Sequence, residues 1–195
     1  MKSNIIIAGV GGQGILTIAA IIDTAALDNN LNIKQSEVHG MSQRGGAVQT
    51  HLRISDSEIY SDLIPLGKAD LIISVEPMEL LRYIPYLKKD GYLVTDSNPF
   101  VNITNYPEIE ELYTEIKSKP NSILIDAKKI AKDLGNSKAT NVVLLGAVSA
   151  MLPLNEDSLI KAIKTLFERK GERIVNKNIE AFYKGKEIAN KTVLK

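Results

Sequence analysis

The chain has 195 residues, of which 44% are hydrophobic, with 24 Lys and Arg against 23 Asp and Glu. This length and composition are typical of a globular domain, and a net charge of +1 gives no electrostatic reason to expect nucleic acid or an anionic membrane as a partner. The chain contains no cysteine, which excludes disulfides, thiolate nucleophiles and cysteine-ligated zinc or iron–sulfur clusters from its own chemistry. The N-terminal apolar run is too short for a signal peptide or a membrane span, so we expect a cytoplasmic protein.

The first 30 residues follow the pattern of a strand, a glycine-rich turn and a helix. Residues 4–8 are a continuous run of mostly β-branched side chains, typical of a strand buried on both faces. Residues 9–14 follow (Gly-Val-Gly-Gly-Gln-Gly), and we call them the first glycine segment. Apolar side chains then recur at helical spacing as far as Ala26, and the helix is expected to end near residues 28–30.

A second strand and a hairpin are predicted next. Residues 33–38 indicate the strand, and after an intervening glycine-rich stretch residues 48–54 alternate between apolar and polar side chains. This alternation predicts a half-exposed strand, in a hairpin with residues 58–60. On it, His51 lies on the face expected to meet solvent.

The remainder of the chain predicts further strands separated by helices and then a helical end. The strands are expected at residues 70–75, 91–95 and 122–125, and the helices from Pro77, over 108–117 and 141–152, behind Asn155 as a cap, and around 175–182. We therefore predict an α/β fold: a Rossmann-like open, mostly parallel sheet with flanking helices, an inserted hairpin and a helical C-terminal end. Residues 1–195 are expected to form a single domain, whose helical part covers about residues 140–195.

The first glycine segment has the pattern of an anion-binding turn. Gly9, Gly11 and Gly14 satisfy G-x-G-x-x-G between a strand and a helix, where backbone N–H groups can approach a pyrophosphate. A nucleoside-triphosphate-binding loop is excluded, because Ile15 and Leu16 stand where it requires a Lys and a Ser or Thr. The alternative is that the glycines only allow a tight turn and close helix packing.

A second glycine segment, residues 39–46 (His-Gly-Met-Ser-Gln-Arg-Gly-Gly), adds polar side chains to the glycines. Glu37 precedes it at the position of the acid that binds ribose in dinucleotide sites, but a dinucleotide fold does not need such a segment. Arg44 is a candidate clamp for a phosphate or carboxylate. His39 is a candidate acid or base, although a single loop histidine is more often structural. No histidine or carboxylate pair has the spacing of a metal site.

The two glycine segments, in this order and spacing, resemble the gamma subunit or domain of the 2-oxoacid:ferredoxin oxidoreductases. The likeness is greatest to the beta (small) subunit of indolepyruvate ferredoxin oxidoreductase, and it extends through residues 141–147 and the helical end. The resemblance implies a subunit of an enzyme that decarboxylates a 2-oxoacid on thiamine diphosphate, passes electrons to ferredoxin and transfers the acyl group to coenzyme A.

In such an enzyme, thiamine diphosphate, Mg and 4Fe-4S clusters are expected on a larger partner subunit, and this chain is expected to bind no cofactor tightly and no metal. Ferredoxin would be an indirect partner, and nucleic acid and membrane are not expected. The resemblance implies that the glycine segments face the partner subunit or a coenzyme A phosphate. The implied site residues are Gly9, Gly11, Gly12, Gln13, Gly14, His39, Gly40, Met41, Ser42, Gln43, Arg44, Gly45 and Gly46. Two alternatives stay open, a freestanding NAD-dependent dehydrogenase and a noncatalytic interaction module.

Overall fold

A computed structural model describes residues 1–40 and 45–193, without the side chains of the last two of these. It contains six strands and seven α-helices within those ranges. The strands are β1 (Lys2–Val10), β2 (Asn32–His39), β3 (Ala47–Ser55), β4 (Ala69–Ser74), β5 (Leu87–Asp96) and β6 (Ser122–Ile125). The helices are α1 (Leu16–Asp28), α2 (Pro77–Arg82), α3 (Ile109–Ser118), α4 (Ala127–Asp133), α5 (Thr140–Val148), α6 (Glu156–Phe167) and α7 (Glu172–Val193).

The six strands form one open sheet in the order β2-β3-β1-β4-β5-β6. Strands β1, β4, β5 and β6 are parallel to one another, whereas β3 runs antiparallel to both β2 and β1. The mostly parallel sheet with helices and a helical C-terminal end confirms the predicted fold class. After β1 the chain forms β2 and β3 on one side of that strand, and it then crosses to the other side to form β4, β5 and β6. At such a change of direction a crevice is expected at the carboxyl ends of the two central strands, here β1 and β4.

The hairpin is present, but its partner strand and its burial were predicted wrongly. Strand β3 pairs with β2 and β1, and residues 58–60 lie outside any strand. His51 is only 3% exposed and Arg53 only 9%, because the following loop returns across them. The backbone N–H of Ile64 donates to His51 Nδ1 at 3.0 Å, and Arg53 Nη1 donates to the carbonyl oxygen of Ser61 at 2.7 Å. Alternation in the sequence marks two faces but does not show that a loop covers the polar one.

The central strand β1 is buried on both faces, as its unbroken apolar run predicts. Ile5 and Ile7 pack in the larger cluster with side chains of α1, α5, α6 and α7, while Ile6 and Ala8 face a smaller cluster that includes Leu80 of α2. The sheet therefore has two hydrophobic layers, and β1 belongs to both. No helix in the described ranges combines the length and the apolar character needed to cross a bilayer.

Helices α5 and α7 cross at two glycines. A Cβ atom on Gly146 would lie 1.9 Å from the carbonyl oxygen of Phe182, and one on Gly185 would lie 1.9 Å from that of Val143. Each helix therefore presents a glycine to the other helix's backbone. Asn155, the predicted cap, accepts a hydrogen bond from the backbone N–H of Ser158 at 2.8 Å and so does cap α6.

Asp23 on α1 has a carboxylate oxygen that is buried and has no hydrogen-bond partner among the described residues. Burial raises the pKa of Asp23 from 3.8 to about 6. The folded chain therefore holds this proton more tightly than the unfolded chain, so stability is lost as pH rises from about 4 through 6. Since Asn stays neutral, we expect Asp23→Asn to raise stability at pH 7.5 by about 1 kcal/mol, or roughly 2–4 °C in Tm. The gain should vanish near pH 4, and thermal unfolding at both pH values would test it; a gain independent of pH would contradict it.

Candidate functional site

The first glycine segment forms the turn from β1 into α1. Gly12 and Gly14 have φ values of 99° and 72°, which side chains other than glycine rarely adopt. The side chain of Gln13 folds back, and its Oε1 accepts from the backbone N–H of Val10 at 2.8 Å. Helix α1 begins without a side-chain cap or an acidic residue in its first turn. The turn therefore leaves backbone N–H groups at the start of α1 without a capping side chain.

Gly9, in contrast, is explained by packing. A Cβ atom on Gly9 would lie 2.4 Å from Val75 Cγ2 and 2.9 Å from Ile15 Cγ2. Close packing at Gly9 and backbone conformation at Gly12 and Gly14 therefore account for the tight turn and the helix packing, and the anion-binding role of the segment stays a prediction.

The second glycine segment connects β2 to β3, and its described residues Gly45 and Gly46 lie against the first segment. The backbone N–H of Gly11 donates to the carbonyl oxygen of Gly46 at 2.8 Å, and that of Gly45 donates to the carbonyl oxygen of Gly11 at 3.3 Å. At its base, Gly40 donates to the carbonyl oxygen of Ala47 at 3.1 Å. The two predicted segments are thus joined by backbone hydrogen bonds. Met41, Ser42, Gln43 and Arg44 lie outside the described residues, and their roles stay predictions.

A cavity of about 240 Å³ lies on the β2 side of the turn, and we call it the outer cavity. Glu37 and His39 line it, with side chains 18% and 58% exposed, and Glu37 Oε1 contacts His39 Nε2. The other lining residues are Val10, Gly11, Gly12, Gly14, Ile15, Leu16 and Val48.

A second cavity, of about 260 Å³, lies at the carboxyl ends of β1, β4 and β5, and we call it the switch-point cavity. It lies where ligands commonly bind in open α/β sheets. Its polar wall includes Asp96, whose pKa is raised by burial while hydrogen bonds from Asn98 and the backbone of Ala127 oppose the rise. The remaining lining residues are Gln13, Val75, Pro99, Phe100, Lys128, Ser137, Thr140 and Asn141.

Asn141, at the start of α5, holds the first glycine segment although it lies far along the chain from it. Its Nδ2 donates to the carbonyl oxygens of Gln13 and Gly14 at 2.9 and 2.8 Å, and the residue is 8% exposed. The apolar run at residues 141–152 predicted a buried helix, and Asn141 was not among the predicted site residues. The available signal was one amide at the start of an otherwise nearly continuous apolar run.

The geometry disfavours a dinucleotide site. Glu37 lines the outer cavity, but β3 separates β2 from β1, so the acid lies two strand spacings, about 9–10 Å, from the strand that carries the turn. In dinucleotide-binding folds these two strands are adjacent. Within residues 1–40 and 45–193, no group of three or more His, Asp or Glu side chains could hold a metal ion.

Comparison with known proteins gives the family. The profile of the family described as pyruvate ferredoxin/flavodoxin oxidoreductase matches residues 4–188. The chain belongs to this family. One relative, the indolepyruvate oxidoreductase subunit IorB of Pyrococcus horikoshii, is 40% identical over 196 residues, which cover 95% of each chain. The family membership predicted from the two glycine segments is confirmed, and the chain is a subunit of an oxidoreductase complex.

Solved structures of the family share the fold. The gamma subunit of a keto/oxoacid ferredoxin oxidoreductase from Geobacter sulfurreducens matches with a TM-score of 0.69 and 25% identity, covering 97% of this chain and 99% of that one. A 2-oxoglutarate:ferredoxin oxidoreductase from Magnetococcus marinus, solved with 2-oxoglutarate, coenzyme A and succinyl-CoA bound, matches with a TM-score of 0.78 and 24% identity. That match covers 97% of this chain and 31% of the other, and it supports the fold alone.

Proposed function

We propose that the chain is the gamma-type subunit of a cytoplasmic, thiamine-dependent oxidoreductase that decarboxylates indolepyruvate or another aryl pyruvate and passes the electrons to ferredoxin. The observation that carries the proposal is the 40% identity to an indolepyruvate oxidoreductase subunit along 95% of both chains. We further propose that residues 1–195 act as one domain, because the profile match runs from residue 4 to residue 188 and the strands form one sheet.

The chemistry of the chain supports a division of labour with a larger subunit. Without cysteine it cannot supply thiolates to a 4Fe-4S cluster, so the clusters of the proposed enzyme belong to the partner. Thiamine diphosphate and its Mg²⁺ are assigned to the partner as well. Ferredoxin would then take its electrons from the partner and meet this chain only indirectly.

The role proposed for this chain is to meet the partner subunit and coenzyme A at the paired glycine segments. Glycine brings backbone N–H groups close to a phosphate without obstruction by side chains. The outer cavity and the switch-point cavity lie on either side of the turn, which leaves room for an elongated ligand across it. Arg44 is proposed to clamp a phosphate or carboxylate, and His39 to contact the same ligand.

The proposal is tested by purifying a tagged full chain, expressed at its native level, and by identifying what it brings down. The expected result is a larger subunit in a fixed ratio, with iron, acid-labile sulfide and thiamine diphosphate in the purified material. The complex should reduce ferredoxin with indolepyruvate in the presence of coenzyme A. Absence of any thiamine-binding, cluster-containing partner would overturn the assignment, and a preference for pyruvate or 2-oxoglutarate would overturn the proposed substrate alone.

A further inference from the structure

The loop of residues 97–107, between β5 and α3, is fixed at both ends by one buried carboxylate. Glu76 is fully buried, and its Oε1 accepts from the backbone N–H of Phe100 at 3.3 Å and from the hydroxyl of Tyr106. Its other oxygen accepts from the backbone N–H of Glu79 at 2.8 Å and caps α2. The loop is therefore fastened to the carboxyl end of β4 at two points that lie six residues apart.

Between these points the loop is exposed, and it reaches the second glycine segment. Asn102 Nδ2 donates to the carbonyl oxygen of Gly45 at 2.6 Å. The N–H of Gly45 donates to Gly11, whose own N–H donates to Gly46. Hydrogen bonds thus attach the loop to Glu76 on one side and, through Gly45, to the described residues of both glycine segments on the other.

We propose that Asn102 is a positioning residue that holds Gly45 and Gly46, the described end of the second glycine segment, against the first segment, and that Glu76 positions the loop that carries Asn102. The reason is conformational: Gly45 has a φ of 82°, and a glycine-rich connection loses much conformational entropy when it is ordered. Two backbone hydrogen bonds join the segments in the described part of the chain, and the Asn102 amide adds a third contact from an independent element. That Asn102 orders the glycine-rich connection does not depend on the proposed function. The consequence for binding of a ligand or a partner subunit rests on the proposed function.

The test compares two asparagines of the same loop in the full chain. Asn102→Asp keeps the size of the side chain but replaces the donating N–H group by an acceptor. Asn105→Asp makes the same change at an exposed residue for which the structure gives no side-chain hydrogen bond, and it is the matched control. We expect hydrogen exchange at the amides of Gly11 and Gly45 to become roughly threefold to tenfold faster in Asn102→Asp, and to stay unchanged in Asn105→Asp. The urea midpoint of both variants should equal that of the unsubstituted chain.

A second variant tests the part assigned to Glu76. Tyr106→Phe removes one of the three hydrogen bonds to this carboxylate and keeps the aromatic ring. We expect faster exchange at the same two amides, by a smaller factor than in Asn102→Asp. Unchanged exchange in Tyr106→Phe would overturn the role of Glu76.

Kinetic and binding measurements on the assembled enzyme then distinguish the positioning role of Asn102 from the proposed function of the glycine segments. With Asn102→Asp in the complex, the KM for coenzyme A or the dissociation constant of the larger subunit should rise severalfold while kcat stays unchanged. If the exchange rates of Gly11 and Gly45 do not change, the positioning role is wrong, whatever the kinetics show. Faster exchange with unaltered KM and assembly would support the positioning role and count against a ligand or partner at the glycine segments.

Discussion

Replacing Gly185 with alanine is expected to destabilise the chain by about 3 kcal/mol or more. The added Cβ would lie 1.9 Å from the carbonyl oxygen of Val143, far inside van der Waals contact, and the clash is with backbone rather than with a movable side chain. To relieve it, α7 has to move away from α5. The face that would separate includes Phe182, which is among the largest fully buried side chains.

Gly146→Ala is expected to have an effect of similar size, since its Cβ would meet the carbonyl oxygen of Phe182 at 1.9 Å. The sign of both effects is diagnostic. In an exposed helix, alanine is more favourable than glycine by about 1 kcal/mol, so propensity alone predicts stabilisation. Because both glycines belong to one crossing, the double variant should lose less stability than the sum of the single variants.

Urea denaturation of Gly146→Ala and Gly185→Ala measures these losses, with Thr165→Ala on the exposed side of α6 as the control for adding alanine to a helix. The control should stay within about 0.5 kcal/mol of the unsubstituted chain. Stability equal to or above that of the unsubstituted chain in either glycine variant would show that the two helices do not cross at the distance described.

The local elements could be predicted from the sequence because each has its own signal. The apolar run at residues 4–8 predicted a strand buried on both faces, because a strand without a solvent-facing side needs no polar residues. Asn155 predicted the start of a helix, because asparagine is a preferred N-cap residue. The position of β3 was not predictable in this way. Alternation identifies a strand, but its pairing with both β2 and β1 depends on which edges are free in the folded sheet. The burial of His51 likewise depends on a loop 13 residues further along the chain.

The candidate site shows the same limit. Both glycine segments were found because glycine in a fixed spacing is a local signal, and the structure brings their described residues together. Asn141 and Asn102 were not found, because each acts on a glycine segment from far along the chain, Asn141 across 127 residues to Gly14 and Asn102 across 57 to Gly45. A single asparagine has no periodicity, so only the folded topology shows what it contacts. The ligand and partner roles of the segments stay predictions.

Asn141→Ala is expected to lower the free energy of unfolding by about 2 kcal/mol, and Asn141→Asp by about 3 kcal/mol at pH 7. Alanine removes both donated hydrogen bonds. The carbonyl oxygen of Gln13 then loses this donor, whereas that of Gly14 still accepts from the backbone N–H of Thr17 at 3.0 Å. Aspartate keeps the shape of the side chain but turns an ionised oxygen toward the same two carbonyl oxygens, which adds repulsion to the loss. The order of the two variants therefore reports the direction of donation, which the size of the side chain alone would not reveal.

The pH dependence of Asn141→Asp completes the argument. An ionised carboxyl facing two carbonyl oxygens is disfavoured, so the pKa of the introduced group should be higher in the folded chain than in the unfolded chain. Stability should then fall as pH rises through the acid range, and near pH 4 the protonated group can donate one hydrogen bond, so the variant should approach Asn141→Ala. Asn176→Ala and Asn176→Asp, at an exposed position of α7, are the matched pair and should differ little at either pH. If Asn141→Asp is as stable as the unsubstituted chain at pH 7, the Asn141 amide does not donate to the glycine turn.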